Sequence, residues 1–327
     1  MSTDAVVAVL RGAERITAFC HENPDADTLG SAIALRLAAE RLGKVAEVVC
    51  ADRPPAALEF LPRVDEVRTE PALEPDVAVV VDAGDLSRIG PLAETHAEWL
   101  SRATVLNIDH HVSNPRFGAA ALVDPDAAAT CEMVALLLPR LGVELDTEIA
   151  TALLAGIVMD THTFAHPNAT PRTLRVAADL VAAGAPLHAI NRAIYADKPF
   201  ATLALWGMML AGMEQRCDGR IVYAAMELDM LRETGADPAA SEGFVDLLGA
   251  TRAAQITVLF KEAEPARVRV SVRTREPADA VAITSAFGGG GHARAAGCTI
   301  EAPLAEAQDR LLAECERELR RLDAGRR

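Results

Sequence analysis

Residues 107 to 114 read NIDHHVSN, an acid and two adjacent histidines closing a strand-like run over 104–108. Consecutive side chains on a strand point to opposite faces, so His110 and His111 cannot both serve a core. The same kind of ending recurs. His21-Glu22-Asn23-Pro24-Asp25-Ala26-Asp27 follows the strand-like 15–20, Asp82 follows the apolar 77–81, and Asp160 closes the apolar 149–159. Each alone reads as a cap or turn residue. Four apolar segments ending in Asp or His are the pattern of one site. Side by side, Asp25, Asp27, Asp82, Asp109 and Asp160 cannot all ionise without a compensating cation. Carboxylates mixed with imidazoles suit Mn2+, with Mg2+, Co2+ or Fe2+ as alternatives, over a thiolate-loving metal. Of the cysteines only Cys20 is well placed, and its neighbour His21 is the better ligand. So many carboxylates favour two ions, and a two-metal site activates water and clamps an in-line phosphoryl displacement. Metal-assisted phosphoester hydrolysis is the chemistry these residues carry.

The segments that must position them alternate strand and helix, which predicts an α/β fold. Residues 28–42 read as a helix with Leu29, Ile33 and Leu37 on one face, and 45–50 as a strand. The continuous apolar runs at 77–81 and 104–108 fit strands buried on both faces of a parallel sheet. Helices are expected around 128–142, 146–159 and 170–183. Ligands of such a sheet collect beyond the carboxyl ends of its strands, where the acids and histidines fall. A helical stretch over about 186–213, broken at Pro186 and Pro199, reads as a connector. Strands at 221–227, 255–260 and 267–273, helices near 241–250 and 277–287, and an amphipathic helix over 303–322 then predict a smaller α/β domain. The expected division is 1–190 for the metal-bearing domain, 191–214 for the connector and 215–327 for the second domain.

With 32 basic against 47 acidic residues, the 327-residue chain carries a formal net charge of −15. Long duplex nucleic acid is bound by neutralising phosphates, which such a surface opposes, while small phosphorylated substrates stay open. There is no uninterrupted apolar run of about 18 residues, so no membrane span is expected. The acidic start Met1-Ser2-Thr3-Asp4 lacks a basic n-region, and six scattered cysteines form no CxxC pair. Both point to a cytoplasmic protein with reduced thiols.

HENPDAD, VVVDAGD, IDHH and GIVMDTHTF resemble, in order and spacing, the four motifs of the DHH phosphoesterase superfamily. FGGGGHARAAG, residues 287–297, resembles the glycine-rich signature of the associated DHHA1 domain. DHHVSNPRFG and VSVRTRE are similar to the compact NrnA-type branch. The resemblance covers nearly the whole chain. It implies an N-terminal DHH domain with a mostly parallel sheet flanked by helices, the connector, and a C-terminal DHHA1 domain. The activity it implies is a manganese-dependent phosphodiesterase and phosphatase. Its substrates would be short single-stranded RNA, linear dinucleotides such as pApA, and the 3′,5′-bisphosphate nucleotide pAp. Long duplex and membrane are excluded, and a homodimer is admitted.

By the same resemblance His21 and Asp25 would bind one metal, and Asp27, His110 and Asp160 the other, with Asp82 bridging. Asp109 would hold the His110 ring from behind, as metal-bound imidazoles require, leaving His111 to face the substrate phosphate. Arg273, Gly289, Gly290, Gly291, His292 and Arg294 would grip the substrate, through guanidinium forks and close backbone approach. The two domains would thus divide the labour. Relatives commonly have glycine after the Asp-Thr of the fourth motif. Here it is His162, with His166 four residues on, and Pro167 argues against one helix carrying both. They read as loop histidines at the mouth of the site. An inorganic pyrophosphatase would share the first half but not the GGGGH segment. A cyclic-dinucleotide phosphodiesterase is a second alternative. A non-catalytic nucleotide-binding module fits less well, because it need not keep a full ligand set.

Overall fold

Each uninterrupted apolar run of the first half becomes a parallel strand. In the computed structural model, which describes residues 3–325, β1 (Arg15–Phe19), β2 (Val45–Val49), β3 (Val77–Val81), β4 (Thr104–Asp109) and β5 (Ala120–Val123) form one sheet. The order is β2-β1-β3-β4-β5, and every pairing is parallel. Alternation sorts the side chains between two cores. Ile16, Ala18, Val77, Val79, Val81, Leu106 and Ile108 join one, while Phe19, Val49, Ala78 and Val80 join the other. A strand that is apolar at every position needs a layer on each face.

The helices of this unit are α1 (Thr3–Gly12), α2 (Ala26–Arg41), α3 (Leu92–Thr95), α4 (Ala97–Arg102), α5 (Thr130–Leu141), α6 (Thr147–Asp160), α7 (Pro171–Ala182) and α8 (Leu187–Asn191). Leu92 and Leu100 of α3 and α4 cover the Phe19 face, and the longer helices cover the other. Helices α2 and α6 cross at bare backbone. A Cβ on Gly30 would stand 2.3 Å from the Ala152 carbonyl oxygen, and one on Gly156 would stand 2.6 Å from Asp27 Oδ1. The GIVMD glycine is therefore what lets α6 reach the acid on α2.

The chain divides into compact units at Met1–Asp197 and Lys198–Arg327. The second holds β6 (Glu214–Arg216), β7 (Ile221–Met226), β8 (Ile256–Glu264), β9 (Arg267–Thr274), β10 (Gly290–His292) and β11 (Ala295–Ile300) in the order β10-β11-β9-β8-β7-β6. Only β7 and β8 pair in parallel. Its helices are α9 (Phe200–Ala211), α10 (Leu228–Thr234), α11 (Phe244–Leu248), α12 (Ala280–Thr284) and α13 (Leu304–Ala324). Val268, Val270 and Val272 pack against residues of α12 and α13. The alternate positions Arg267, Arg269, Ser271 and Arg273 therefore share the opposite face. Leu205 and Met209 of α9, inside the stretch read as a connector, enter a core with Phe244 and Leu259. Among the described residues no helix is long and apolar enough to cross a membrane.

Candidate metal centre

In the order β2-β1-β3-β4-β5 the chain goes from β1 to β2 on one side and then crosses back to β3 on the other, so a crevice opens at the carboxyl ends of β1 and β3. The acids and histidines converge there. His21 stands two residues past β1, Asp82 one past β3, Asp109 ends β4 with His110 next, and Asp160 ends α6. Asp25 caps α2, its Oδ1 accepting from the Asp27 and Thr28 amides at 2.9 and 3.0 Å. That leaves Oδ2 facing His21 Nε2 at 3.8 Å.

Asp82 occupies the centre. It sits at φ 54°, a left-handed conformation that costs a non-glycine residue about 1 kcal/mol. Its Oδ2 lies 3.5 Å from His21 Nε2 and its Oδ1 3.5 Å from His110 Nε2, while Thr130 Oγ1 donates to Oδ1 at 3.1 Å. His110 Nε2 also faces Asp160 Oδ2 at 3.3 Å and Asp27 Oδ2 at 4.0 Å. On its other side His110 Nδ1 meets the Ala127 carbonyl at 3.3 Å, which places a proton there and leaves Nε2 as the lone pair. His21 is set the same way, Nδ1 against the Glu22 carbonyl at 2.8 Å. Asp27 is fully buried, and its oxygens accept the Thr130 and Cys131 amides at 2.7 and 2.8 Å, the first turn of α5. Helix N-termini favour anions, so α5 holds this carboxylate without consuming all its lone pairs.

The expectation that Asp109 orients His110 is corrected here. Asp109 Oδ1 pairs with His111 Nδ1 at 2.7 Å, and a backbone carbonyl, not a carboxylate, sets the His110 ring. The reason lies in the turn after β4, which carries the His111 ring back over the strand end, crossing His110 edge to face at 4.9 Å. Two asparagines missed in the sequence support Asp109. Asn114 Nδ2 donates to Asp109 Oδ2 and to Asn107 Oδ1, and Asn107 Nδ2 donates to the Val80 and Ala83 carbonyls. The signal was present, since they bracket NIDHHVSN. Asp109 is fully buried, and burial alone would raise its pKa; the His111 and Asn114 bonds outweigh that and hold it below the ordinary value. The same carboxylate raises His111, whose side chain is half exposed.

The cluster is over-supplied with negative charge. Burial, then the Asp82 and Asp25 charges, pushes Asp27 well above the ordinary carboxylate range. Burial, then Asp27, Asp82 and Asp25, does the same to Asp160. Burial would lower His21, but the Asp25 and Asp82 carboxylates bring it up to about 10. Three overlapping sets have ligand atoms within 4.8 Å of one another: His21, Asp25 and Asp82; Asp27, His110 and Asp160; Asp82, His110 and His111. Oxygen and imidazole donors around a charge deficit fit divalent cations of the hard and borderline kind. Cys20 is turned away, its thiol toward the Thr28 carbonyl.

In the second unit Arg273 on β9 is in register with Ala295 on β11, itself in register with His292 on β10. Directly paired residues share a face, so Arg273 and His292 lie in one row. Arg273 Nε is engaged by Asp246 Oδ1 at 2.8 Å. Gly289 and Gly291 serve their own hairpin, because a Cβ there would meet the Gly297 and Ala295 carbonyl oxygens at 2.4 and 2.5 Å. Gly290, like Gly288, faces open space. His292 and Arg294 are exposed. Lys261, Arg269 and Ser271, to which the sequence reading gave no role, line a depression of about 520 Å3 beside Gly288, Gly289 and Gly290. Burial lowers the Lys261 pKa, Glu242 opposes it, and Arg269 and Arg273 lower it further.

The family model of the DHH family, N-terminal domain, matches residues 15–157, and that of the DHHA1 domain matches 218–321. A bifunctional oligoribonuclease and PAP phosphatase NrnA of Thermus thermophilus is 37% identical, covering 92% of this chain and 89% of its own. The protein of the same name from Bacillus subtilis is 27% identical over 90% and 92%. The crystal structure of an exopolyphosphatase-related protein from Bacteroides fragilis superposes with a TM-score of 0.88 at 22% identity, covering 96% of this chain and 95% of that one.

Proposed function

This chain belongs to the DHH family, and on that premise we propose that it is a divalent-metal-dependent phosphoesterase. It hydrolyses short oligoribonucleotides, linear dinucleotides such as pApA, and the bisphosphate nucleotide pAp, with Mn2+ as its working ion, in the cytoplasm. The single observation that carries the reading is Asp82, whose two oxygens face two separate histidine–carboxylate groups at the switch point of the sheet. The names of the Thermus and Bacillus relatives supply the substrate class.

His21 and Asp25 would hold one ion, and Asp27, His110 and Asp160 the other, with Asp82 shared. Two divalent ions, when bound, supply Lewis-acid charge at the phosphate and lower the pKa of water. The chain's own part is to fix donors and place charge. The carbonyls of Glu22 and Ala127 take the Nδ1 protons of His21 and His110 and so fix the tautomers. The Thr130 hydroxyl and the α5 amides hold Asp82 and Asp27 in place. His111 has Nδ1 anchored on Asp109, so its opposite nitrogen is the one free to meet a phosphate oxygen. The raised pKa favours the imidazolium, a donor whose charge matches the one building on that oxygen. Arg273, Gly289, Gly290, Gly291, His292 and Arg294 are assigned to substrate grip. The division into a metal-bearing domain at 1–190, a connector at 191–214 and a grip domain at 215–327 follows from that assignment.

The test is one substrate panel with Mn2+, Mg2+ or EDTA: pAp, pApA, a 5-mer and a 24-mer RNA, a cyclic dinucleotide and pyrophosphate. We expect Mn2+-dependent release of mononucleotide or phosphate from pAp, pApA and the 5-mer, abolished by EDTA and by Asp82→Ala. Turnover confined to pyrophosphate or to the cyclic dinucleotide would overturn the substrate assignment. Full activity of Asp82→Ala would overturn the site.

A further inference from the structure

Directly after Asp160 the backbone takes a costly course. His162, Thr163 and Phe164 adopt φ values of 47°, 55° and 63°, three non-glycine residues in the left-handed region in succession. For a β-branched residue such as Thr163 this is a true outlier, and it persists only where the surroundings over-determine it. The underside of the turn is indeed pinned. Thr163 Oγ1 donates to Asn191 Oδ1 at 2.6 Å, the Phe164 amide donates to Thr161 Oγ1 at 3.0 Å, and the Phe164 ring packs on the main core. Asn168 Nδ2 donates to the Asp160 carbonyl at 3.1 Å, tying the far side of the turn back to α6.

The upper side is aromatic. The His162 and His166 rings stack with centroids 5.3 Å apart and planes 15° from parallel, and both residues are exposed. Tyr195 meets His162 edge to face at 4.5 Å, and its hydroxyl donates to the Met159 carbonyl at 2.8 Å, the residue before Asp160. Among the described residues neither imidazole makes a hydrogen bond or an ion pair. Strain is thus held by the Asn191, Thr161 and core contacts, and the turn presents an exposed pair of stacked imidazoles, edged by Tyr195, two residues from the acid that faces His110.

We propose that the His162–His166 stack is a nucleobase platform, on which the base of the nucleotide rests while its phosphate lies at the metal centre. The proposal rests on the nucleotide reading above. Its own ground is independent of that reading: the ring stack, the left-handed turn and their place beside Asp160. Histidine is among the side chains on which unpaired bases stack, and a stack of this kind is tolerant of sequence. The platform reads the π-face of a base and not its hydrogen-bonding edge, so it favours a purine over a pyrimidine and either over no base.

Two substitutions test it without loading the fold. His162→Gly removes the ring at a φ that glycine adopts freely, and His166→Phe keeps a ring in the stack without an imidazole. KM and kcat are measured on pAp and on ribose 3,5-bisphosphate, which lacks the base, with bound Mn2+ by elemental analysis. We expect His162→Gly to raise KM for pAp about 5- to 160-fold, the range one base–aromatic stack is worth. Its kcat, metal content and KM for ribose bisphosphate should match the wild type. His166→Phe should retain the wild-type KM, while His166→Ala should raise it. An unchanged KM for pAp in His162→Gly, or an equal rise for ribose bisphosphate, would overturn the platform. So would a His166→Phe variant as poor as His166→Ala, which would mean the imidazoles act through charge. If the wild type turned over neither compound, the nucleotide reading would fall. Calorimetric binding of AMP to the Mn2+-loaded wild type and His162→Gly would then decide the platform alone, equal affinity refuting it.

Discussion

Replacing Asp160 by asparagine should move stability in opposite directions with and without metal. Asp160 stands in the last turn of α6, where the helix dipole disfavours a negative charge. Burial, then the Asp27, Asp82 and Asp25 charges, raises its pKa. A carboxyl whose folded pKa exceeds its unfolded one stabilises the fold fully at low pH, and that contribution is lost as pH rises through the folded value. In EDTA the wild type should therefore weaken from acid toward neutral pH, and Asp160→Asn, which does not titrate, should weaken less. Asp160 and Asp27 both reach the His110 Nε2, at 3.3 and 4.0 Å. Their ligand oxygens lie within 4.8 Å of each other, and two full charges about 5 Å apart at an effective dielectric of about 20 repel by about 3 kcal/mol. For a unit of 197 residues that is a gain of about 6–12 °C in Tm for metal-free Asp160→Asn at neutral pH, closing toward zero in acid. With Mn2+ the order should reverse. An ion at about 100 times its Kd contributes about 2.7 kcal/mol, or roughly 5–11 °C, to the wild type, and the variant lacks a ligand for it. Scanning calorimetry between pH 5 and 8, with EDTA or Mn2+, measures all four corners. A metal-free variant less stable than the wild type at neutral pH, or an undiminished Mn2+ shift in it, would refute the reasoning.

Three further outcomes follow from particular contacts. His110→Ala should lose metal and turnover together, whereas His111→Ala and Asp109→Asn should keep metal and lose turnover, since Asp109 bonds to His111; equal metal loss in all three by elemental analysis would contradict that division. Gly156→Ala should cost more than the about 1 kcal/mol a helix gains from alanine, because the new Cβ would stand 2.5 Å from Cys131 Sγ and 2.6 Å from Asp27 Oδ1; a Tm at or above the wild type would show that α6 is free to shift. Arg273→Ala should raise KM for pAp by the 1.5–3 kcal/mol of a charge-assisted hydrogen bond, with metal content unchanged; an unaltered KM would leave Arg273 as the partner of Asp246 only.

The first sheet was legible because a run such as Val77–Val81, apolar at every position, has no other comfortable place than between two layers. Strand β5 was not foreseen. Its four residues Ala120–Val123 are all apolar, but the run is short and carries a single β-branched residue, too little to separate a strand from a buried turn. The acids and histidines could be named from sequence because each ends an apolar segment. Their pairing could not, because it depends on ring orientation: whether Asp109 meets His110 or His111 is settled by the turn after β4. The donors to Asp27 were also out of reach. Thr130 and Cys131 lie over a hundred positions away and act through backbone amides, which side-chain types do not announce. The glycines at 289 and 291 show the converse, a motif whose residues answer partly to the packing of their own hairpin.

The placement of the acids explains why so many can share one crevice before any ion arrives. Asp25 and Asp27 stand at the N-terminus of α2, and Asp27 also accepts from the N-terminus of α5. Two helix dipoles and four amides therefore compensate these carboxylates in part. Asp82 faces His21, whose pKa the Asp25 and Asp82 carboxylates raise to about 10, and Asp109 is spent on His111. Of these five acids Asp160 is the one whose carboxylate accepts no hydrogen bond, and it sits at the wrong end of its own helix. It faces His110, whose Nδ1 is occupied by a carbonyl and whose Nε2 carries the lone pair. A lone pair and a carboxylate pointed at each other at 3.3 Å attract only through a cation between them. The uncompensated charge is thus concentrated on the group with least structural reason to be charged, and the metal-dependent part of the stability should depend on that residue more than on any other acid of the set.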